Sequence, residues 1–424
     1  MIALPNESLF AIFNYLKNED LFSCLLVNRK WCRIVVPILW SKLDTFKSRK
    51  LIRICLLSLN AEETKQLLPF KIMLPNGPKP LFEYSSFIKT IYFDTDSGII
   101  DWLDREGNYP HYLKEEKRSI NVVHTIASSL IAMFLRKSVN LRDLRVCEIN
   151  YNQMINLAEN LSKNTALKFL GFANNKFGHE GGKELAEILG NNSTLTYLYI
   201  GNNQLGTEGG IALAEALCKN TTLTHLNLWN NQLGPEGGKA LANALRKNTT
   251  LTYLNIGNNQ LGLEGGIAMA EALHRNTTLT HLLLYNNKLC PTAGEKLAKA
   301  LHKNTTLTYL NVGSNQLSYV GGKAFADALR INIALTSLDF RDNFNYMFQD
   351  DLGHAFIESL CENSTLTDLC LYNNNLRDTL LTVIDDMLTN NRKCINEYCK
   401  KTTYKSQLSN ISSNYYSPII PSKI

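Results

Sequence analysis

A motif that recurs every 28 residues constrains the fold of this chain more than any other feature. The pattern is Leu-x-x-Leu-x-apolar-x-x-Asn-x-Leu, and a degenerate copy begins at Leu141. Three extra residues around Asn345–Met347 delay the last start. So short a period, repeated so often, predicts a solenoid in which each repeat packs mainly on its neighbours. The regular copies begin at Leu167, Leu195, Leu223, Leu251, Leu279, Leu307, Leu335 and Leu366.

Each repeat divides into two halves with different apolar periods. In the first half of the repeat at Leu251, alternation places Leu254 and Ile256 on one face of a short strand. In the second half, Glu264 to Asn276, apolar residues fall at helical spacing and alanines allow close packing. Every repeat is therefore predicted to form one strand followed by one helix.

An asparagine recurs in phase at the end of each predicted strand. Stacked asparagine amides can satisfy the backbone groups that a bend leaves free, and a fully partnered buried ladder costs little. We therefore predict a buried asparagine ladder. Its members are Asn175, Asn203, Asn231, Asn259, Asn287, Asn315, Asn343 and Asn374.

These units resemble leucine-rich repeats, and the EGGxALAxAL helix resembles the ribonuclease-inhibitor subclass. The resemblance covers about residues 141–391 and implies an α/β horseshoe, with a parallel sheet inside and helices outside. Residues 87–140 are interpreted as an irregular cap, with a strand at Phe87–Phe93, a helix at Val122–Leu135 and a long loop around Asp94–Lys117. Residues 392–424 lack periodicity and are expected to form a flexible tail.

The N-terminal stretch has the spacing of short amphipathic helices. Leu9, Ile12, Phe13 and Leu16 recur at helical intervals. A second helix is expected to run from about residue 18 to Trp31, and a third segment from residue 33 to residue 40. Three helices in roughly 40 residues cannot bury a self-sufficient core. Helical periodicity alone favours a simple cap for the horseshoe, but the wider residue pattern does not.

That pattern resembles the F-box: Leu-Pro-x-Glu, then an Ile-Phe pair, then Leu, then Val-x-Arg-x-Trp, then a terminal Trp. Asn28 stands where many members have Cys. The resemblance covers residues 1–41 and implies docking on the small adaptor of cullin-RING ubiquitin ligases, the SCF complexes. Residues 42–86 are interpreted as a helical connector and loop. The expected adaptor-binding residues are Leu4, Pro5, Ile12, Phe13, Leu16, Leu21, Val27, Trp31 and Trp40.

The strand residues between the core leucines are expected to face the concave side of the horseshoe. Several are aromatic, and aromatic residues are enriched in interface anchors. Large residues alternate with Gly201, Gly257 and Gly313, which predicts ridges and hollows. The alternative is that the rings simply pack side by side along the sheet. The candidate target-binding residues are Tyr197, Tyr199, His225, Trp229, Tyr253, His281, Tyr285, Tyr309, Arg341 and Tyr372.

Composition and spacing argue against several other classes of function. A net charge of +6 over 424 residues is mild for a nucleic-acid binder, and no 18-residue apolar run or secretory signal is found. No Cys-x-x-Cys pair occurs, and His225 and His281 are expected too far apart, at roughly 10 Å, to share a metal. The recurrent Asn-x-Thr/Ser sites are interpreted as helix ends rather than glycosylation sites. We expect no metal, no cofactor, and a cytoplasmic or nuclear location.

The two resemblances together imply the substrate-recognition subunit of an SCF-type ubiquitin ligase. The F-box would bind the adaptor and through it the cullin scaffold, the repeats would bind a target protein, and the chain itself would not be an enzyme. One alternative is a leucine-rich-repeat binding module that works alone, as an inhibitor or sensor. Another is a GTPase activator, which would need a catalytic polar residue in a repeat loop that the sequence does not reveal.

Overall fold

The computed structural model describes residues 4–43, 48–78, 80, 82–93, 97–107, 116–344 and 350–401. The chain forms two compact units, Met1–Ala272 and Leu273–Ile424. Most of each unit repeats one strand and one helix, which confirms the predicted leucine-rich-repeat architecture.

The first unit begins with helices and continues as a parallel sheet in chain order. Its helices are α1 (Asn6–Phe13), α2 (Asn18–Leu25), α3 (Arg29–Leu39), α4 (Arg49–Leu56), α5 (Ala61–Lys65), α6 (Ser97–Arg105), α7 (Glu116–Lys137), α8 (Tyr151–Lys163), α9 (Gly178–Asn191), α10 (Gly206–Lys219), α11 (Gly234–Leu245) and α12 (Gly262–Leu273). Its strands are β1 (Lys42–Leu43), β2 (Thr90–Phe93), β3 (Asp143–Val146), β4 (Phe169–Gly171), β5 (Tyr197–Tyr199), β6 (His225–Asn227) and β7 (Tyr253–Asn255).

The N-terminal module, residues 4–43, packs helices α1 to α3 around a small core of Leu9, Phe13, Leu21 and Val35. The second helix ends earlier than the sequence suggested. The side chain of Asn28 accepts a hydrogen bond from the Trp31 backbone amide at 2.9 Å, and so caps the start of α3. The prediction that Trp31 belongs to the second helix is therefore wrong, because a capping asparagine stops one helix and starts the next.

The C-terminal end of the N-terminal module is bonded directly to the sheet. The carbonyl of Ser41 accepts hydrogen bonds from the amides of Lys89, at 2.8 Å, and Thr90, at 3.2 Å. The short strand β1, which sequence reasoning did not find, then pairs in parallel with β2. Trp40 stacks on Tyr84 with 4.3 Å between ring centroids. The end of the module is thus the first strand of the sheet.

The segment before the regular repeats is more ordered than expected. A strand over Thr90–Phe93 and a helix over Glu116–Lys137 confirm the predicted strand–helix pair. The expected loop, however, contains α6, which buries Trp102 completely. Helix α5 is fastened to α7 by Glu63, a nearly buried carboxylate that binds the Arg136 guanidinium through two 2.8 Å hydrogen bonds.

The asparagine ladder forms as predicted. The amide nitrogen of Asn231 donates to the carbonyls of Ile200, at 2.9 Å, and Leu228, at 3.0 Å. Its oxygen accepts from the backbone amide of Asn203 at 2.9 Å. Asn231 is fully buried, so each of these bonds replaces one to water that folding removes.

A second buried ladder explains the Asn-x-Thr/Ser sites. Asn220 is 6% exposed, and its amide donates to the carbonyls of Leu189, at 3.0 Å, and Asn192, at 3.2 Å. Its oxygen accepts from the amides of Thr222 and Leu223. The asparagine of such a site is thus a buried structural residue at the end of a helix, as interpreted from the sequence.

The second unit repeats the same architecture. Its helices are α13 (Cys290–Leu301), α14 (Ser318–Leu329), α15 (Asp350–Glu362) and α16 (Asp378–Lys401), and its parallel strands are β8 (His281–Leu283), β9 (Tyr309–Asn311), β10 (Ser337–Asp339) and β11 (Asp368–Cys370). Helix α16 takes up residues 392–401 of the expected tail. The rest of the tail, residues 402–424, and the three extra residues near 345 lie outside the described residues.

Candidate protein-binding surfaces

The N-terminal module exposes more large apolar side chains than its small core buries. Leu4 is 48% exposed, Ile12 48% and Val27 57%, and Pro5 is also exposed. Exposed apolar groups on so small a module cost free energy in water unless a partner covers them. These four residues were expected to bind the adaptor, and their side chains are free to do so.

Other residues expected at the adaptor surface lie inside the module. Phe13 and Leu21 are each only 2% exposed. Trp31 packs its edge against Phe13, with 4.9 Å between the ring centroids. Leu16 and Trp40 are half-buried within the chain. Phe13 and Leu21 therefore fill the core of the module and hold its helices together.

The structure adds apolar surface residues that sequence reasoning missed. Phe10, Tyr15, Phe22 and Leu26 are 44%, 92%, 60% and 89% exposed. The available signal was that Phe10 and Phe22 fall off the apolar stripe of their helices, at positions where a solvent-facing helix normally carries polar groups. Tyr15 and Leu26 lie just after the ends of the same two helices. Together with Leu4, Ile12 and Val27, they are the exposed large apolar side chains of the module, and we refer to this set as the module's apolar face.

In the first unit, aromatic rings form a continuous stack along the strands. Ring centroids are 5.9 Å apart between Phe169 and Tyr197, 4.1 Å between Tyr197 and His225, and 5.4 Å between His225 and Tyr253. The Arg145 guanidinium lies 4.2 Å from the Phe169 centroid. Side-by-side packing, the alternative noted from sequence, thus occurs. The half-buried rings still present their edges to solvent.

Trp229 lies across the neighbouring glycine rather than standing alone. Its indole nitrogen donates to the hydroxyl of Tyr199 at 3.2 Å. A Cβ added to Gly201 would lie 2.0 Å from that nitrogen, closer than real atoms approach. The glycine is required by this close approach, and the Tyr199–Trp229 pair forms a ridge over the hollow that Gly201 leaves.

In the second unit, the corresponding surface carries charge. Asp339 is 5% exposed, and its carboxylate accepts hydrogen bonds from Arg341 Nε at 2.9 Å and from Asn311 Nδ2 at 3.0 Å. The guanidinium contacts the same carboxylate at 2.7 Å, and Asp339 raises the pKa of Arg341. Arg341 is thus held by an internal partner, with about half of its side chain still exposed.

The remaining candidates of the second unit vary in exposure. His281 stacks on Tyr309 at 5.6 Å, and burial lowers the pKa of His281. Burial, and after it the nearby Asp339 carboxylate, raises the pKa of Tyr309. Tyr285 is half-buried, whereas Tyr372 is 69% exposed. Each unit therefore brings its own candidates together on one face of its strands.

Metal-binding potential among the described residues is confined to one exposed group, His179, Glu180 and Glu208. The Lys183 ammonium lies 3.1 Å from the Glu180 carboxylate and 2.8 Å from that of Glu208. Both carboxylates are therefore already paired with a lysine. In the part of the chain that the structure describes, no helix combines the length and the hydropathy that crossing a membrane requires.

Comparison with known proteins gives two matching family models. An F-box-like model matches residues 1–45. A leucine-rich-repeat model matches residues 191–214, 219–242, 247–270 and 303–326. No curated protein sequence matches the chain.

Two solved structures are similar to parts of the chain at low identity. The actin-binding site 2 of leiomodin-1 is 17% identical, covers 46% of this chain and 97% of its own, and has a TM-score of 0.31. The tropomodulin C-terminal domain from Caenorhabditis elegans is 11% identical, covers 45% of this chain and 99% of its own, and has a TM-score of 0.32. Neither likeness bears on what this chain binds.

For the N-terminal module, the helices and the exposed apolar face agree with the matched F-box-like model. For the repeats, the strand–helix units agree with the matched leucine-rich-repeat model. The chain carries an F-box-like domain at its N-terminus, followed by leucine-rich repeats.

Proposed function

We propose that this chain is the substrate-recognition subunit of an SCF-type cullin-RING ubiquitin ligase. The N-terminal module binds the ligase adaptor, which links it to the cullin scaffold, and the repeats bind a target protein. An F-box followed by leucine-rich repeats is typical of non-catalytic adaptors, and such a role is carried out in the cytoplasm or nucleus.

The observation that carries this proposal is the apolar face of the F-box-like module. Its core side chains Phe13 and Leu21 are already covered, yet Leu26 and Val27 remain 89% and 57% exposed. Burial of such side chains contributes about 1.5–3 kcal/mol each. An adaptor that covers several of them would gain a tight interface.

The way the module joins the sheet suits a positional mechanism. Ser41 hydrogen bonds to Lys89 and Thr90, and the Trp40–Tyr84 stack leaves little room for hinge motion there. A target held on the strands of the first unit would stay at a fixed place relative to the ligase. Holding a target near the ubiquitin-charged enzyme raises its effective concentration, and the chemistry belongs to other subunits.

For the target, the strand face of the first unit is the better-equipped surface. The Tyr199–Trp229 ridge and the edges of the stacked rings offer amphipathic aromatic contacts, which suit interface anchors. Tyr197, His225 and Tyr253 would contribute their polar edges. In the second unit, His281, Tyr285, Tyr309, Arg341 and Tyr372 would serve as anchors.

The first experiment is capture of the purified full-length chain by the purified ligase adaptor. The test variant combines Ile12→Ala and Leu26→Ala, two changes on the apolar face that leave the module core intact. The matched control combines Ile331→Ala and Ile333→Ala, which removes comparable apolar surface from residues 62% and 77% exposed elsewhere. We expect the wild type and the control to be captured equally, and the test variant at least about tenfold more weakly.

Two results would overturn the proposal. If a folded wild type is not captured, the chain is better explained as a stand-alone leucine-rich-repeat binding module. If the test variant and the control lose capture equally, the apolar face is not the docking surface. A GTP-hydrolysis assay with small GTPases tests the alternative that the chain is a GTPase activator.

A further inference from the structure

Helix α13 of the second unit exposes an unusual stripe of lysines. Lys296 and Lys299 in the helix, and Lys303 two residues after its end, are exposed and follow one another at intervals of three and four residues, while Leu297, Leu301 and the alanines face the core. Lys288, just before the helix, is also exposed. Glu295 is the acidic residue that accompanies them. The stripe runs about 16 Å, from Thr292 to Lys303.

Comparison among the repeats shows that the charges of Lys296 and Lys299 are particular to α13, whereas Lys303 has basic counterparts in other repeats, such as Lys219. Glu208 and Glu264 occupy the position of Thr292 in the repeats that begin at Leu195 and Leu251. In the same repeats, Lys299 is replaced by Glu215 and Glu271, and Lys296 by Ala212 and Ala268. Three of the exposed differences thus make α13 more positive, and Glu295, in place of isoleucine, offsets one charge. The repeats share most of their other residues, so a common fold does not require these changes.

Helix stability does not explain the stripe. An acid in the first helical turn and a base in the last turn both complement the helix dipole. Lys299 satisfies the second condition. The change from glutamate to Thr292, however, removes the favourable acid, and Lys296 sits mid-helix, where the dipole offers nothing.

The lysines of the stripe also lack the ion-pair partners that two nearby basic residues have. Within the second unit, Lys323 pairs with Asp327 at 3.1 Å, and Arg330 with Glu358 at 2.9 Å. Among the described residues, no carboxylate lies within ion-pair distance of Lys296, Lys299 or Lys303. Their charge is therefore directed outward to solvent.

We propose that the exposed face of α13 binds an acidic stretch of a partner polypeptide. An extended chain rises about 3.3 Å per residue, so about five residues match the length of the stripe. A membrane surface would call for apolar residues beside the lysines, whereas the stripe's other exposed residues are Thr292, Glu295 and His302. A single-stranded nucleic acid would call for interleaved aromatic residues, which the stripe also lacks.

Binding of labelled hexaglutamate to the full-length chain tests this proposal. The α13 variant combines Lys296→Ala, Lys299→Ala and Lys303→Ala. The matched control, Lys168→Ala with Lys219→Ala and Lys247→Ala, removes the same charge from exposed positions in the first unit. We expect the α13 variant to bind at least about fivefold more weakly and the control within about twofold, with affinity falling as salt rises.

The readout does not depend on the adaptor, so its failure is distinguishable from failure of the ligase proposal. Thermal unfolding checks that each variant is folded, and a Lys→Gln version at the same three positions replaces the alanine variant if it is not. Equal losses in the α13 variant and the control would overturn the proposal, because binding would then follow net charge alone. So would absence of hexaglutamate binding, or an α13-dependent preference for phosphatidylserine vesicles or a single-stranded oligonucleotide.

Discussion

The repeats of the two units have the same kind of core and the same asparagine ladder, but their turns and surfaces differ. Asn231 in the first unit and Asn315 in the second are both fully buried, and each donates to carbonyls of its own and the preceding repeat. At the start of the following helix, Gly206 adopts a left-handed φ of +65°. Cys290 and Ser318 adopt nearly the same φ, +66° and +57°, without the freedom of glycine.

The strand surfaces of the two units also differ in their side chains. In the first unit Trp229 lies over Gly201, and in the second Arg341 lies over Gly313. In both units a glycine therefore accommodates a large side chain. That side chain is aromatic in the first unit and ion-paired in the second. The difference teaches that buried polar positions tolerate little change in this fold, whereas turns tolerate strain and surfaces tolerate new charge.

The largest expected effect concerns the shared ladder. Asn231→Ala and Asn315→Ala should each lower the free energy of unfolding by about 3 kcal/mol, because buried backbone groups lose their partners. Urea unfolding followed by circular dichroism measures both. The half-exposed Asn230, which exchanges hydrogen bonds with neighbouring surface amides and has a left-handed φ of 54°, provides the control, and Asn230→Gly should cost less than about 1 kcal/mol. A large difference between the Asn231 and Asn315 variants would break the equivalence of the units.

The glycines beneath the large residues give the next effect. A Cβ at position 201 would meet the indole nitrogen of Trp229 at 2.0 Å, whereas one at position 313 would meet Cγ of Arg341 at 3.0 Å. Gly201→Ala should therefore destabilise the chain by about 1–2 kcal/mol, and Gly313→Ala by less. Adding Trp229→Ala to Gly201→Ala should recover most of the loss in a urea titration. No recovery would mean that the indole is not what the glycine accommodates.

Relieving the strain in the turns should have a smaller effect, and it should stabilise the chain. Ser318→Gly should raise the melting temperature, with a gain of roughly 0.5–1 kcal/mol, because glycine adopts the left-handed conformation without a steric penalty. The reverse change in the first unit, Gly206→Ser, should cost a similar amount. Two changes of the same sign would show that the turns are not equivalent.

The smallest effect concerns pH. Burial lowers the pKa of His281 from its ordinary value of 6.5, so the unfolded chain binds the proton more tightly than the folded chain. Stability should fall as the pH drops below about 6.5, by at most about 0.5 kcal/mol, because water screens the half-exposed ring. His281→Tyr, which places the tyrosine of adjacent repeats there, should remove this part of the dependence in melting curves between pH 5 and pH 8. An unchanged slope would assign it to other groups.

Sequence reasoning found the features that rest on local patterns. The period of the leucines located the strands of the regular repeats, and the in-phase asparagines identified the buried ladder before any geometry was known. It missed α6 and β1, and it placed Trp31 in the wrong helix. The start of α3 depends on one capping bond and β1 depends on pairing with a distant strand, and neither leaves a periodic trace. Helix α6 did leave one that was overlooked, because its buried Ile99, Trp102 and Leu103 fall at helical spacing. A family pattern also does not separate exposed residues from core residues, and Phe13, one of the expected adaptor-binding residues, is buried in the module.

By itself, the sequence determined the repeat, its core and its ladder. Each repeat must bury one stripe of leucines and one asparagine, and a single backbone arrangement does both. Only the tertiary structure decided which apolar side chains of the N-terminal module remain uncovered, and that Trp229 lies over Gly201. It alone showed that the lysines of α13 have no partner among the described residues. Exposure and pairing are properties of neighbours that meet in space, and residues far apart in sequence become neighbours only when the chain folds.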